Sequence, residues 1–165
     1  ADAIAGVDLM LGENVDPASK FFGKIDDCAI GAFGHSQGGA GTVNAVFNDP
    51  RIRCTAPLHP AAGLRYPTMK RDNGPMLIIT GQSDLFSSAK FCEAKVYDYQ
   101  SGSTILAVRK GSGHYAPVSV LGGDAAYEHY VTAWFLRHLG ARDDLETEFT
   151  VKLKVDSNFS KVLSK

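Results

Sequence analysis

Cys28-Ala29-Ile30-Gly31-Ala32-Phe33-Gly34-His35-Ser36-Gln37-Gly38-Gly39 reads as a buried strand that runs into a sharp turn and then a helix. Within it, Gly34-x-Ser36-x-Gly38 has the form of a nucleophile elbow. In such a turn the serine takes a strained backbone conformation, and glycines two residues to either side let strand and helix approach without a side-chain clash. The hydroxyl then stands exposed above the sheet. The five residues before Gly34 are apolar or glycine, as a strand covered on both faces requires. Gly38, Gly39, Ala40 and Gly41 give the following helix a small surface for close packing.

Outward from this stretch, composition bounds what the chain can be. Its 165 residues are 44% hydrophobic, enough for one sizeable core and one globular unit. A net charge of −1 without a basic run gives no electrostatic reason to propose a nucleic-acid partner. No apolar run approaches the ~18 residues of a membrane span, and the first residues lack a secretory signal's basic-then-apolar design. A soluble mature chain is expected. A secreted, extracellular location is the expectation, with a cytoplasmic one open. Cys28, Cys54 and Cys92 lack metal-ligand spacing and read as buried free thiols. No cofactor or metal is called for.

Taken in order, Asp2 to Leu11 places Ile4, Val7, Met10 and Leu11 at helical spacing, with Gly12 as the stop. After Ser36, Val43, Val46 and Phe47 continue a helix that should end near Asn48-Asp49-Pro50. Strands are predicted near 28–34, 52–58, 75–80 and 104–109, parallel and with helices on both faces. His59 to Gly74 reads as a loop, and Ser87 to Tyr99 is roughly helical. Asp124 to Leu139 is the best helix, with Tyr127, Tyr130, Val131, Trp134, Phe135 and Leu139 on one stripe and Asp124 near its start. The division expected is a core over residues 1–142 and a C-terminal extension over 143–165, in which Val151 to Val155 alternates like an exposed strand.

An alcohol is a poor nucleophile at neutral pH. Ser36 therefore needs a base to take its proton, and the base needs an acid to hold its tautomer and stabilise the imidazolium. Asp84 follows the third predicted strand and His114 lies in the loop after the fourth. The order Ser36, Asp84, His114 belongs to the α/β-hydrolase arrangement rather than to other triad folds. Among the other histidines, His35 is locked into the elbow and should point away from the nucleophile. His129 and His138 lie on the last helix, and His59, after the second strand, should border the site without joining the triad.

Gly34-His35-Ser36-Gln37-Gly38-Gly39, Pro57-Leu58-His59-Pro60, Leu77-Ile78-Ile79-Thr80-Gly81-Gln82-Ser83-Asp84 and Gly113-His114-Tyr115-Ala116-Pro117 together resemble the bacterial cutinase and polyester-hydrolase branch of the α/β-hydrolases, near the dienelactone hydrolases. The resemblance covers residues 1 to about 145. It implies Ser36 as nucleophile, Asp84 and His114 as its partners, and the backbone N–H of Gln37 as an oxyanion-hole donor. His59, Ala61 and Tyr115 are the expected substrate-binding residues. Dienelactone hydrolases usually carry cysteine as nucleophile, so Ser36 favours the esterase side. Ala61 stands where polyester-degrading members carry an aromatic residue, removing one wall for an aromatic acyl group. The C-terminal cysteine pair common among them is missing too. The implied activity is that of a serine ester hydrolase (carboxylesterase, cutinase or lipase-like) on a small or polymeric ester. A catalytically inactive relative serving as a binding or partner module is the alternative.

The family's fold also places strands, and the loop that supplies the second oxyanion donor, ahead of the helix that Asp2 to Leu11 resembles. The fold expected is thus the C-terminal part of an α/β-hydrolase, a mostly parallel sheet without its N-terminal strands. A sheet that began at the elbow strand would expose a long apolar edge, and losing one oxyanion donor would cost ~10²–10³ in rate. That edge is therefore expected to be covered by polypeptide outside this sequence, either a preceding segment or a partner chain.

Overall fold

The computed structural model describes residues 2–62, 66, 74–118 and 127–165. Its frame is one five-stranded sheet in the order β1-β2-β3-β4-β5, with β1 Ile30–His35, β2 Ile52–Leu58, β3 Met76–Gly81, β4 Thr104–Arg109 and β5 Phe159–Ser164. The first four strands run parallel, and β5 joins β4 antiparallel. The helices are α1 Asp2–Val15, α2 Gln37–Asn48, α3 Ala89–Cys92, which continues as a π-turn over Glu93–Tyr97, α4 Tyr127–Leu139 and the single turn α5 Leu153–Val155. This is the expected α/β architecture, a mostly parallel sheet with helices, and the four parallel strands lie where the apolar runs place them.

Strand periodicity divides the core into two layers. Cys54, Ala56, Leu58, Leu77, Ile79, Ile105 and Ala107 point to the face covered by Tyr127, Tyr130, Ala133 and Trp134 of α4 and by Phe149 and Leu153. Met76, Ile78, Leu106 and Val108 point to the other face, with Ile52, which precedes a register shift in the β1–β2 pairing, packed there too; this face is covered by α2, by Cys92, Val96 and Tyr97, and more loosely by Ile4 and Val7 of α1. Every residue of β3 is buried.

Several local expectations are corrected. Helix α1 runs through Gly12 to Val15. Asn14 marks its end instead, clasping Ile25 through two hydrogen bonds of 3.0 Å. The elbow strand starts at Ile30, so Cys28 lies outside it and is exposed, whereas Cys54 and Cys92 are buried free thiols. Strand β1 is not buried on both faces: among the described residues it pairs only with β2, and Phe33 is 66% exposed. Val151 to Val155 is helical rather than extended, because Phe149 and Leu153, four residues apart, both enter the core. Residues 143–165 supply β5, whose register sets Leu163 against Leu106 and Val162 against Ala107. Most of the loop from His59 to Gly74, and the expected helix start at Asp124, lie outside the described residues.

Candidate active site

The turn between β1 and α2 has the geometry its glycines demand. Ser36 sits at φ 56° and ψ −117°, a conformation that costs on the order of 1–3 kcal/mol and persists only when its surroundings hold it. The holding bonds run from the Ser36 N–H to the carbonyl of Leu58 at 3.0 Å, and to the Ser36 carbonyl from the N–H groups of Ala40 at 3.0 Å and Ala61 at 2.9 Å. A Cβ on Gly34 would come within 2.6 Å of the Gly38 backbone, so the strand and helix cross there only because no side chain intervenes. Gln37 opens α2 directly after the serine, which places its N–H among the first-turn groups that have no partner inside the helix.

Asp84 follows β3 and His114 follows β4, and backbone bonds stitch the two loops together. The N–H of Gln82 donates to Arg109 at 2.8 Å and that of Ser83 to Ser112 at 2.9 Å. His114 Nε2 then lies 2.9 Å from Ser36 Oγ, and its Nδ1 lies 2.8 Å from Asp84 Oδ2. Residues 36, 84 and 114 are thus one continuous hydrogen-bonded line. The other oxygen of Asp84 accepts the backbone N–H groups of Phe86 and Ser87, each at 2.8 Å.

His35 does not point away from this line. Its Nε2–H donates to the carbonyl of His114 at 2.7 Å, and the two rings lie 4.8 Å apart. His59 borders the site without joining the line, as expected, but not at a surface that fits the expected substrate-binding role. It is completely buried beneath Asp84, with Nδ1 2.6 Å from Oδ2 and Nε2 3.0 Å from the hydroxyl of Tyr127. It faces the carboxylate and not the opening where a substrate would arrive. Ala61 is half-buried and tied to the turn, whereas Tyr115 is 53% exposed with its ring 5.3 Å from that of His114. Phe86, unmarked by any sequence pattern, is also exposed, its ring 5.2 Å from His114. The sequence pattern places Tyr127 on a core stripe, and nothing in its spacing indicates a partner 68 residues away.

A scan of family models matches residues 1–162 to PETase, described as PET hydrolase-like. The chain belongs to this PET hydrolase-like family. A search of the curated proteins finds no match. Membership in this α/β-hydrolase, cutinase-like group implies a carboxylic ester hydrolase. Among the described residues, no helix is long and apolar enough to cross a membrane.

The electrostatics of this PET hydrolase-like site follow from burial and donor count. Burial pushes the Asp84 carboxyl up, but bonds from His114, His59 and the backbone of Ser87 and Phe86 outweigh it and hold the group below the ordinary carboxylate range. Burial pushes His59 down to about 4, against the pull of Asp84. It lowers His35 as well. Both therefore stay neutral near pH 7. His59, Asp84 and His114 offer ligand atoms within 4.8 Å of one another. Since an ionised carboxylate only accepts, both Nδ1 atoms carry the protons that bind it, and the cluster is already satisfied by hydrogen bonds.

Proposed function

We propose that the chain is a serine ester hydrolase that works through an acyl-enzyme, with Ser36 as nucleophile, His114 as general base and then acid, and Asp84 as its anchor. The observation that carries the reading is the line from Ser36 Oγ to His114 Nε2 at 2.9 Å and from His114 Nδ1 to Asp84 at 2.8 Å. In the first half-reaction Ser36 Oγ attacks the ester carbonyl carbon while its proton passes to His114 Nε2, and Asp84 stabilises the imidazolium. The carbonyl oxygen, now an anion, meets the N–H of Gln37 at the positive end of α2. Collapse expels the alcohol, which takes the proton back from His114. A water molecule repeats the sequence on the acyl-enzyme and releases the acid.

The opening favours apolar esters, polymeric ones included. Phe86 is 65% exposed and Tyr115 53%, and their rings form an uncharged rim beside that of His114, at 5.2 and 5.3 Å. A surface-accessible rim suits a substrate too large to be enclosed. Turnover of ester, amide and thioester substrates of graded chain length tests the reading. Esters should turn over with a burst of one equivalent of alcohol and a preference for apolar acyl groups. Hydrolysis of none of them would favour a binding module on the same fold.

The outer edge of β1 is part of the proposal. Alongside it runs an apolar groove of about 470 Å³ between α1 and β1, lined by Val7, Met10, Leu11, Ile25, Ile30 and Ala32. An apolar strand whose Phe33 lies in solvent is an edge that natural sheets cover. Polypeptide outside residues 1–165 would pair with it and bring the second oxyanion N–H, in a secreted enzyme. Residues 1–165 expressed alone should then show weak turnover or self-association. A fully active, monodisperse monomer would contradict this part.

A further inference from the structure

Asp84 Oδ2 serves two masters. His114 Nδ1 approaches it at 2.8 Å and His59 Nδ1 at 2.6 Å, with the two rings nearly perpendicular at 82°. The reaction described above uses only the first. The second belongs to a side chain with no exposed surface, which the sequence places in a loop that should merely border the site. Burying a polar imidazole costs free energy unless both nitrogens are bonded, and here both are. With Asp84 ionised, Nδ1 must carry the proton and Nε2 must be bare, and the Tyr127 hydroxyl then donates to Nε2 at 3.0 Å. A single tautomer of His59 satisfies the whole chain from Tyr127 through His59 to Asp84.

The backbone has been shaped to permit it. His59 occupies φ 44°, a left-handed conformation uncommon for a residue with a Cβ, and its N–H is fixed to the carbonyl of Ile79 at 2.8 Å. A Cβ on Gly81 would come within 3.0 Å of His59 Cε1 and closer still to the carbonyl of Ser112. The glycine is therefore what lets the buried imidazole and the loop carrying His114 converge on one carboxylate.

We infer that His59 is a positioning residue for this site: its Nδ1–H fixes the rotamer of Asp84 and draws off part of the negative charge that Oδ2 offers to His114. The inference rests on the triad reading above. An oxygen with two strong donors supports each less than an oxygen with one. Removing the His59 donor should thus leave Asp84 holding the His114 imidazolium more firmly, so His114 would give up its proton at higher pH. Other groups facing this cluster are His35 from β1, Tyr127 from α4, Tyr115 on the loop of His114 itself, and Cys92 of α3 behind Ser87. None of them is a carboxylate, a lysine or an arginine, so they do not supply the opposing field.

The test follows histidine nitrogens by NMR in the chain labelled with ¹⁵N-histidine. Wild type should show His59 as the neutral Nδ1–H tautomer, unchanged from pH 5 to 8, beside a second Nδ1–H from His114. In His59→Phe, which keeps a ring but has no donor, the titration midpoint of His114 should move up by about one pH unit. The acid limb of kcat/KM should move with it. His59→Asn, whose amide N–H can stand where Nδ1–H stood and which tolerates a left-handed backbone, should return both towards wild type. An Nε2–H tautomer in wild type overturns the inference even if His59→Phe fails to fold. So does a His114 midpoint that is the same in all three proteins, or one displaced equally in Phe and Asn. Because the tautomer and the midpoint are read without substrate, a chain that lacked esterase activity would refute the function while leaving this inference separately decided.

Discussion

Two histidines with nearly perpendicular rings approach the same oxygen of Asp84, and their surroundings differ completely. The His114 side opens on Ser36 and on the exposed rings of Phe86 and Tyr115, and its hydrogen bond runs outward to a half-buried hydroxyl. The His59 side is sealed, ending inside the protein on Tyr127. One imidazole can exchange a proton with something that arrives from solvent. The other can only hold its own. On the proposed reading, residue type and contact with the carboxylate do not make a base; access to Ser36 does.

Substitution at the two sides should separate them. His114→Ala is expected to lower kcat by about 10⁴–10⁶-fold, and Asp84→Asn by about 10⁴-fold, with unchanged far-UV circular dichroism. A drop of less than tenfold at His114 would erase the asymmetry.

The sealed side should show itself in stability against acid. His59 has a folded-state pKa of about 4, below its ordinary 6.5, so its contribution is complete above pH 6.5 and disappears as pH falls towards 4. Over that interval it amounts to roughly 3 kcal/mol. Asp84, also held low, adds the same sign at still lower pH. Urea titrations from pH 7 to 4 should show a steeper loss for wild type than for His59→Asn. Equal slopes would mean that the sealed imidazole is not held neutral.

Gly81→Ala should disturb both sides at once, because its Cβ would meet His59 Cε1 and the Ser112 carbonyl beside His114. Misplacement on the order of 1 Å can cost about 10²-fold in kcat, and steady-state kinetics would show it. The smallest effect should come from Tyr127→Phe, which removes the hydroxyl donor to His59. A loss of about 1 kcal/mol by thermal melting, with kcat within a few-fold, is expected. A large kcat loss there would show the sealed side taking part in chemistry.

Much of this was legible from sequence because it is local. Gly34-x-Ser36-x-Gly38 sets a turn, and Asp84 and His114 each follow an apolar run that becomes a parallel strand, so chain order alone brings them to one end of the sheet. The His59 arrangement was not legible, since it joins residues 25 and 68 positions apart through partners that no spacing rule links. Strand β1 illustrates a different limit. Ala29 to Phe33 are all apolar or glycine, as a covered strand requires, yet β3 is buried throughout and β1 at no position. Apolar character states what a strand requires of its neighbours, whereas burial depends on which neighbours are there. In the tail, Val151 to Val155 alternates with period two, but the buried pair Phe149 and Leu153 repeats with the helical period and wins.

The central claim, that Ser36 is a nucleophile activated by His114, is tested most directly by a fluorophosphonate probe followed by intact-mass and peptide analysis. The account predicts one adduct per chain, located on Ser36, absent from Ser36→Ala and formed far more slowly by His114→Ala. A wild-type chain that fails to react, or that carries the adduct on another residue, would contradict it.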